Sequence, residues 1–145
     1  MKLFNGKFEM ALRVMLVLEV LNEATENDIS AFDLVATYGK SFGVAKNNLH
    51  GTNQFAFSEI ATRKQMIRIG IAYLRLHNLV EEVYDSDRGY IYRLTKSGKQ
   101  TIKKVDDDYS NEYQSVLHKA VSKSHGIDHN ELFTMVNRYL MKELR

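Results

Sequence analysis

Residues 59–95, EIATRKQMIRIGIAYLRLHNLVEEVYDSDRGYIYRLT, decide the fold. A long helix is predicted from about Ser58 to Asn78, because Ile67, Ile71 and Leu74 recur at helical spacing. Two β-prone runs, LVEEV and YIYRLT, then flank a polar segment that contains Asp, Ser, Arg and Gly. Such an arrangement is typical of a β-hairpin. The stretch therefore predicts a long helix followed directly by a hairpin.

Two more helices are predicted upstream of this stretch. From Lys7 to Glu23, apolar residues cover most of the helix circumference, which indicates burial on more than one side. Asp28 is a plausible cap for a second helix from Ile29 to Tyr38, and residues 40–56 show no period and are predicted to be a long loop. Helix, helix, long helix and hairpin is the order of a winged helix-turn-helix domain, in which the hairpin is the wing.

Downstream of the hairpin the sequence is again helical. One helix is predicted from Lys96, another is predicted through the run that follows Asp106–Asp108, and a last one is capped by Asp128. We therefore predict an α+β, mainly α fold, with a winged-helix domain in residues 1–105. Residues 106–145 form a C-terminal helical extension that packs on a partner or on the same domain.

The composition favours an intracellular protein. The chain has 145 residues, no cysteine and no proline, so disulfides and thiolate metal sites are excluded. The apolar N-terminal stretch is interrupted at helical spacing by Glu9, Arg13 and Glu19, so it reads as a core helix and neither as a signal peptide nor as a membrane span. A cytoplasmic location without membrane contact is expected.

Positive charge is concentrated in the middle of the chain. The formal charge is −1 for residues 1–57, +5 for residues 58–104 and −2 for residues 105–145. The cations of the middle segment are candidates for contact with a partner or with nucleic acid: Arg63, Lys64, Arg68, Arg75, Arg88, Lys99, Lys103 and Lys104. For those of the third helix the alternative is a solvated helix face, and four cations interspersed with one acid are weak evidence against it. Asp85 and Asp87 flank Arg88 and would repel phosphate.

Neither a catalytic constellation nor a metal site is predicted. His125 and His129 are four residues apart, but Gly126 breaks the helix that would align them. The acidic run Asp106–Asp108 lacks the glycine and glutamate of a calcium loop. Its negative charge is better explained by a favourable interaction with the dipole at the N-terminus of the helix that follows. We expect no cofactor and no enzymatic activity.

One charged pair is expected to be structural. Glu9 and Arg13 are four residues apart on a helix that is otherwise apolar, so Arg13 is predicted to anchor this helix through Glu9 or through a carboxylate of another element. Arg63 and Arg68 are expected, in contrast, to contribute little to stability and to contact a partner.

Three stretches together resemble a known family, the small middle-component proteins of ABC-three-component systems. The family's opening N-x-x-x-E-x-x-L-R is matched by Asn5, Glu9, Leu12 and Arg13. AFDLVATYGKSFG followed by NNLHG resembles its second helix and its Leu-His loop, carried here by Leu49 and His50. EIATRKQMIRIGIAYLRLHNLVEE is similar to its third helix, and YRLTKSG to its hairpin strand. The resemblance spans residues 3–98.

The resemblance implies a subunit of a Lamassu-type bacterial antiphage defence complex. Its partners would be an SMC-like ABC ATPase and a nuclease or other toxic effector. The subunit would be non-catalytic, would bridge the two, and would help to hold the effector inactive until foreign DNA ends are sensed. From the distribution of charge, weak contact with double-stranded DNA, without sequence preference, is also expected. The alternative is a winged-helix transcriptional regulator that binds DNA as a dimer.

Overall fold

The computed structural model describes residues 7–37 and 59–123. In chain order their elements are α1 (Lys7–Leu21), β1 (Ala24–Thr25), α2 (Glu26–Thr37), α3 (Glu59–Leu76), β2 (Val80–Asp85), β3 (Gly89–Leu94), α4 (Lys96–Ile102) and α5 (Asp108–Lys123). The helix–helix–long helix–hairpin order is confirmed. The predicted loop 40–56 and the predicted last helix after Asp128 lie outside the described residues.

The described part is mainly helical and contains one small antiparallel sheet in the order β1-β3-β2. The predicted hairpin is β2 and β3, which pair from Val80 opposite Leu94 to Asp85 opposite Gly89. The two-residue strand β1 was not predicted, and it pairs Ala24 with Tyr92 on the other edge of β3. This pairing ties the connection between α1 and α2 to the hairpin.

The start of α2 differs from the prediction. The helix begins at Glu26, and the residue that caps it is Thr25, whose Oγ1 accepts a hydrogen bond from the Asp28 amide at 3.1 Å. Asp28 lies in the first turn, and its carboxylate accepts a hydrogen bond from the Thr25 amide at 3.1 Å. This reciprocal pair is a capping box, so the assignment of Asp28 as the cap was wrong by three residues.

The hydrophobic core is centred on α1, which contacts α2, α3, α4, α5 and β3. Residues 13–18 are all buried, as the broad apolar pattern predicted. Phe8 is 68% exposed, because it lies in the first turn of α1 at the edge of the core.

The helix α5 belongs to the same core. It packs against α1 and α2 and buries Tyr113, Val116, Leu117 and Ala120. Residues 108–123 of the predicted extension therefore pack on the elements that precede them. The boundary at residue 105 stays a prediction.

Two glycines allow backbones to approach closely. A Cβ on Gly70 in α3 would lie 3.3 Å from the backbone of α1 at Met10 and Ala11. At Gly98 in α4 a Cβ would lie only 2.0 Å from the carbonyl oxygen of Leu79, the residue before β2. That carbonyl accepts a hydrogen bond from the Thr95 amide at 3.0 Å, and Thr95 caps α4. Because Gly98 has no side chain, the start of α4 can lie directly against the start of the hairpin.

Candidate functional site

The main concentration of buried charge lies where α1, α2, α3 and α5 meet, around Asp33. Arg13 donates to both carboxylate oxygens of Asp33, through Nε at 2.8 Å and Nη2 at 2.7 Å. Arg63 Nη1 donates to Oδ2, and the Tyr113 hydroxyl donates to Oδ1 at 2.6 Å. One carboxylate therefore binds side chains from three other helices. We call Arg13, Asp33, Arg63 and Tyr113 the Asp33 cluster.

Two neighbours extend the Asp33 cluster. Glu9 lies 3.7 Å from Arg13 Nη1, so the buried guanidinium groups of Arg13 and Arg63 face two carboxylates. Thr37 Oγ1 accepts a hydrogen bond from Arg63 Nη1 at 3.3 Å and donates to the Asp33 carbonyl at 2.9 Å. The formal charges of these side chains cancel, as burial requires.

Burial and charge act on these groups in opposite directions. Burial alone would raise the pKa of Asp33, but the charges of Arg13 and Arg63 outweigh it and hold that pKa below its usual range. Burial and the Asp33 charge both raise the pKa of Tyr113 well above its ordinary value. Asp33 is thus ionised and Tyr113 is a neutral donor at neutral pH.

The predictions for Arg13 and Arg63 have opposite outcomes. The prediction that a carboxylate anchors Arg13 is confirmed, with Asp33 as the main partner. The prediction that Arg63 lies on the surface is wrong, because its side chain is only 4% exposed and is bound to Asp33. Its spacing could have shown this, since Arg63 lies four residues before Ile67 and eleven before Leu74, on the buried face of α3.

The exposed arginines of α3 and the hairpin lie beside carboxylates. Arg68 contacts Glu26 at 2.7 Å and Arg75 contacts Glu82 at 3.5 Å, and Lys64 is half-buried. Arg88, at the tip of the hairpin, donates to Glu23 at 3.2 Å and to Asp28 at 3.0 Å. These ion pairs reduce the positive field that a phosphate backbone would meet.

The α4 lysines are placed differently. Lys99, Lys103 and Lys104 are exposed. Lys99 and Lys103 line a groove of about 540 Å³ together with Arg93, Glu19 and Glu23. The candidate cations therefore do not form one surface but lie in separate places on α3, the hairpin tip and α4.

An exposed apolar stripe on α3 was not predicted. Ile69, Ala72 and Leu76 are exposed at steps of three and four residues, and Leu76 is 82% exposed. We call these three residues the α3 stripe. Beside it, Tyr73 packs edge-to-face against Phe8 of α1, with ring centroids 5.4 Å apart. The spacing was visible in the sequence, but the same segment also carries the buried stripe, and only the packing of α3 distinguishes the two.

Several residues that the sequence singled out are not among those that the structure describes. Leu49 and His50 of the loop, and His125 and His129, lie outside the described residues. Within residues 7–37 and 59–123, no group of three or more His, Asp or Glu side chains is placed to hold a metal ion. No helix in that part of the chain is long and apolar enough to cross a membrane.

Comparison with known proteins gives one match. A family model described as "ABC-three component (ABC-3C) system Middle Component 2" matches residues 3–145. No curated protein matches the chain, and no solved structure does. The match includes the segments of the Asp33 cluster and the α3 stripe.

Proposed function

The chain belongs to the Middle Component 2 family of ABC-three component systems, and we propose that it is a non-catalytic subunit of a Lamassu-type antiphage complex. In this proposal it bridges an SMC-like ABC ATPase and a nuclease or other toxic effector in the cytoplasm, and it helps to hold the effector inactive. The observation that carries the proposal is the family match, which extends over residues 3–145.

The buried charges of the Asp33 cluster support a scaffolding role. Four hydrogen bonds from Arg13, Arg63 and Tyr113 meet the carboxylate of Asp33. These groups bind one another inside the core, so they act on the geometry of the four helices. A rigid subunit with exposed apolar side chains suits the binding of other proteins.

The topology supports a winged-helix assignment as part of the same proposal. The sheet order β1-β3-β2 and the position of α3 directly before the hairpin agree with that of a winged helix, with α3 in the place of the recognition helix. In this chain that helix carries an apolar stripe, and its exposed arginines Arg68 and Arg75 are beside carboxylates. A protein partner fits such a helix better than a DNA groove does.

The proposed function is tested by co-expressing the chain with the other two components of its system. We expect the three to co-purify, and we expect the ATPase and effector to separate when this chain is omitted. The chain purified alone is expected to show neither nuclease nor ATPase activity. An ATPase–effector complex that forms equally well without the chain would contradict the bridging role, and an activity lost on a point mutation in this chain would contradict the non-catalytic one.

The α4 lysines keep a second candidate function open, that of a DNA-binding regulator. The exposed side chains of Lys99, Lys103 and Lys104 can meet a phosphate backbone. We expect weak duplex binding without sequence preference, which falls steeply with salt, and which reversal of the three charges to glutamate reduces by about tenfold or more. Fluorescence anisotropy against salt measures both. Tight, sequence-selective binding at physiological salt would favour the regulator instead.

A further inference from the structure

The α3 stripe has the spacing of a helix-pairing seam. Ile69, Ala72 and Leu76 follow one another by three and four residues, which is the a, d, a pattern of a heptad. Leu76 is 82% exposed and Ile69 is 39% exposed, so the described elements leave most of the Leu76 side chain and part of the Ile69 side chain open. In the same register Arg68 and Arg75 occupy consecutive g positions along one edge of the stripe.

Cationic side chains border the stripe on both sides, and those of Arg68 and Arg75 are each paired with a carboxylate of this chain. Arg68 and Arg75 remain 68% and 49% exposed beside their carboxylates, so their guanidinium groups are open to additional acceptors. On the other side Lys7 Nζ lies 5.4 Å from the centroid of the Tyr73 ring and 5.6 Å from that of Phe8. An apolar stripe between cationic edges complements an amphipathic helix with acidic flanks.

A second copy of this chain complements the stripe poorly. A two-fold dimer places the same patch on both subunits. In such a dimer the edge that carries Arg68 and Arg75 would face one of two edges of the other copy. One is the same arginine edge, and the other is the edge that carries Met66 and Tyr73. Neither edge supplies a further carboxylate for the arginines. The heterologous partners implied by a multi-component family avoid this mismatch.

From these observations, and resting on the proposed function, we infer that the α3 stripe docks a helix of another component of the system. That helix has an apolar seam that covers Ile69, Ala72 and Leu76. It also carries carboxylates one heptad apart, which face Arg68 and Arg75. The stripe supplies the apolar contact, and the arginines set the register and the orientation of the helix.

The test places a photo-crosslinking amino acid at Leu76 in the full chain, co-expressed with the other two components, and identifies the cross-linked peptide by mass spectrometry. We expect a helical segment of another component with acidic residues seven apart. In parallel, the double variant Ile69→Asp/Leu76→Asp is expected to lower co-purification at least tenfold while lowering the melting temperature by only a few degrees, because Leu76 is 82% exposed and Ile69 is 39% exposed. The matched control is Tyr90→Asp, because Tyr90 is a large hairpin residue that is 59% exposed.

The outcomes separate this inference from the proposed function. If the wild-type complex assembles but Leu76 cross-links to a second copy or to nothing, the inference is overturned while the bridging role stands. Equal loss of assembly in Tyr90→Asp and in the double variant also overturns it. If the wild-type chain does not co-purify with either component, the proposed function fails and the inference fails with it.

Discussion

Replacement of Asp33 by alanine is expected to lower the free energy of unfolding by about 3–5 kcal/mol, the range found when one partner of a buried ion pair is removed. The variant leaves the guanidinium groups of Arg13 and Arg63 buried without their shared carboxylate, and it removes the acceptor of Tyr113. A loss of this size lowers the melting temperature by roughly 10–20 °C for a chain of this length. Thermal and urea unfolding followed by circular dichroism measures both quantities.

The matched control is Asp87→Ala at the hairpin turn, where the side chain is exposed. It is expected to change the free energy of unfolding by roughly 0.5 kcal/mol or less. If Asp33→Ala were as stable as Asp87→Ala, the Asp33 cluster would not hold the four helices together. Replacement of Arg63 by methionine is also expected to destabilise the fold, contrary to the expectation from the sequence, because Arg63 is buried against Asp33.

The pH dependence of stability provides a second measurement of the same carboxylate. The pKa of Asp33 in the folded state lies below its ordinary value, because the charges of Arg13 and Arg63 outweigh the effect of burial. Its contribution to stability is therefore fully present above the unfolded-state pKa of about 3.9 and is lost as the pH falls through the folded-state pKa. Asp33→Asn is expected to lack this part of the acid-induced loss of stability.

The second large effect is expected for Gly98→Ala, which should destabilise the protein by about 3 kcal/mol or more, at the upper end of the range for overpacking. The added Cβ would lie 2.0 Å from the Leu79 carbonyl oxygen and 3.1 Å from its carbon, and both are backbone atoms, so no side-chain rotation relieves the clash. The start of α4 must then move away from the strand β2. Chemical denaturation compared with wild type measures the loss.

Ser97→Ala, one residue earlier in α4, is the control for this substitution. Ser97 is exposed, and alanine has the higher helix propensity, so this variant is expected to be as stable as wild type or slightly more stable. The two variants add or remove only one small group in the same helical turn. Equal stabilities would show that α4 adjusts to the Cβ and that Gly98 does not fix its position.

The sequence predicted those features that repeat along the chain. Two β-prone runs on either side of a polar turn identified the hairpin, and long apolar stripes identified α1 and α3. Arg13 could be singled out because its neighbours on α1 are apolar, which makes burial of its charge inevitable. Its partner Asp33 could not be identified in this way, because it lies 20 residues away on another helix and only packing brings the two together.

Features decided by tertiary contacts were missed. The strand β1 has two residues and no period of its own, and it exists because β3 offers a free edge to Ala24 and Thr25. Arg63 was assigned to the surface because of its charge, although its spacing places it with Ile67 and Leu74. A buried carboxylate on α2 outweighed the usual preference of arginine for water.

The Asp33 cluster also sets an order of events during synthesis of the chain on the ribosome. Arg13 precedes Asp33 by 20 residues, whereas Tyr113 follows it by 80. At translation rates of about 5–20 residues per second, Tyr113 is made roughly 4–16 s after Asp33. During this interval the nascent helices lack the hydroxyl that completes the cluster and the α5 side chains that cover it. The Asp33 cluster is therefore completed only late in synthesis, when most of the described residues have already been made.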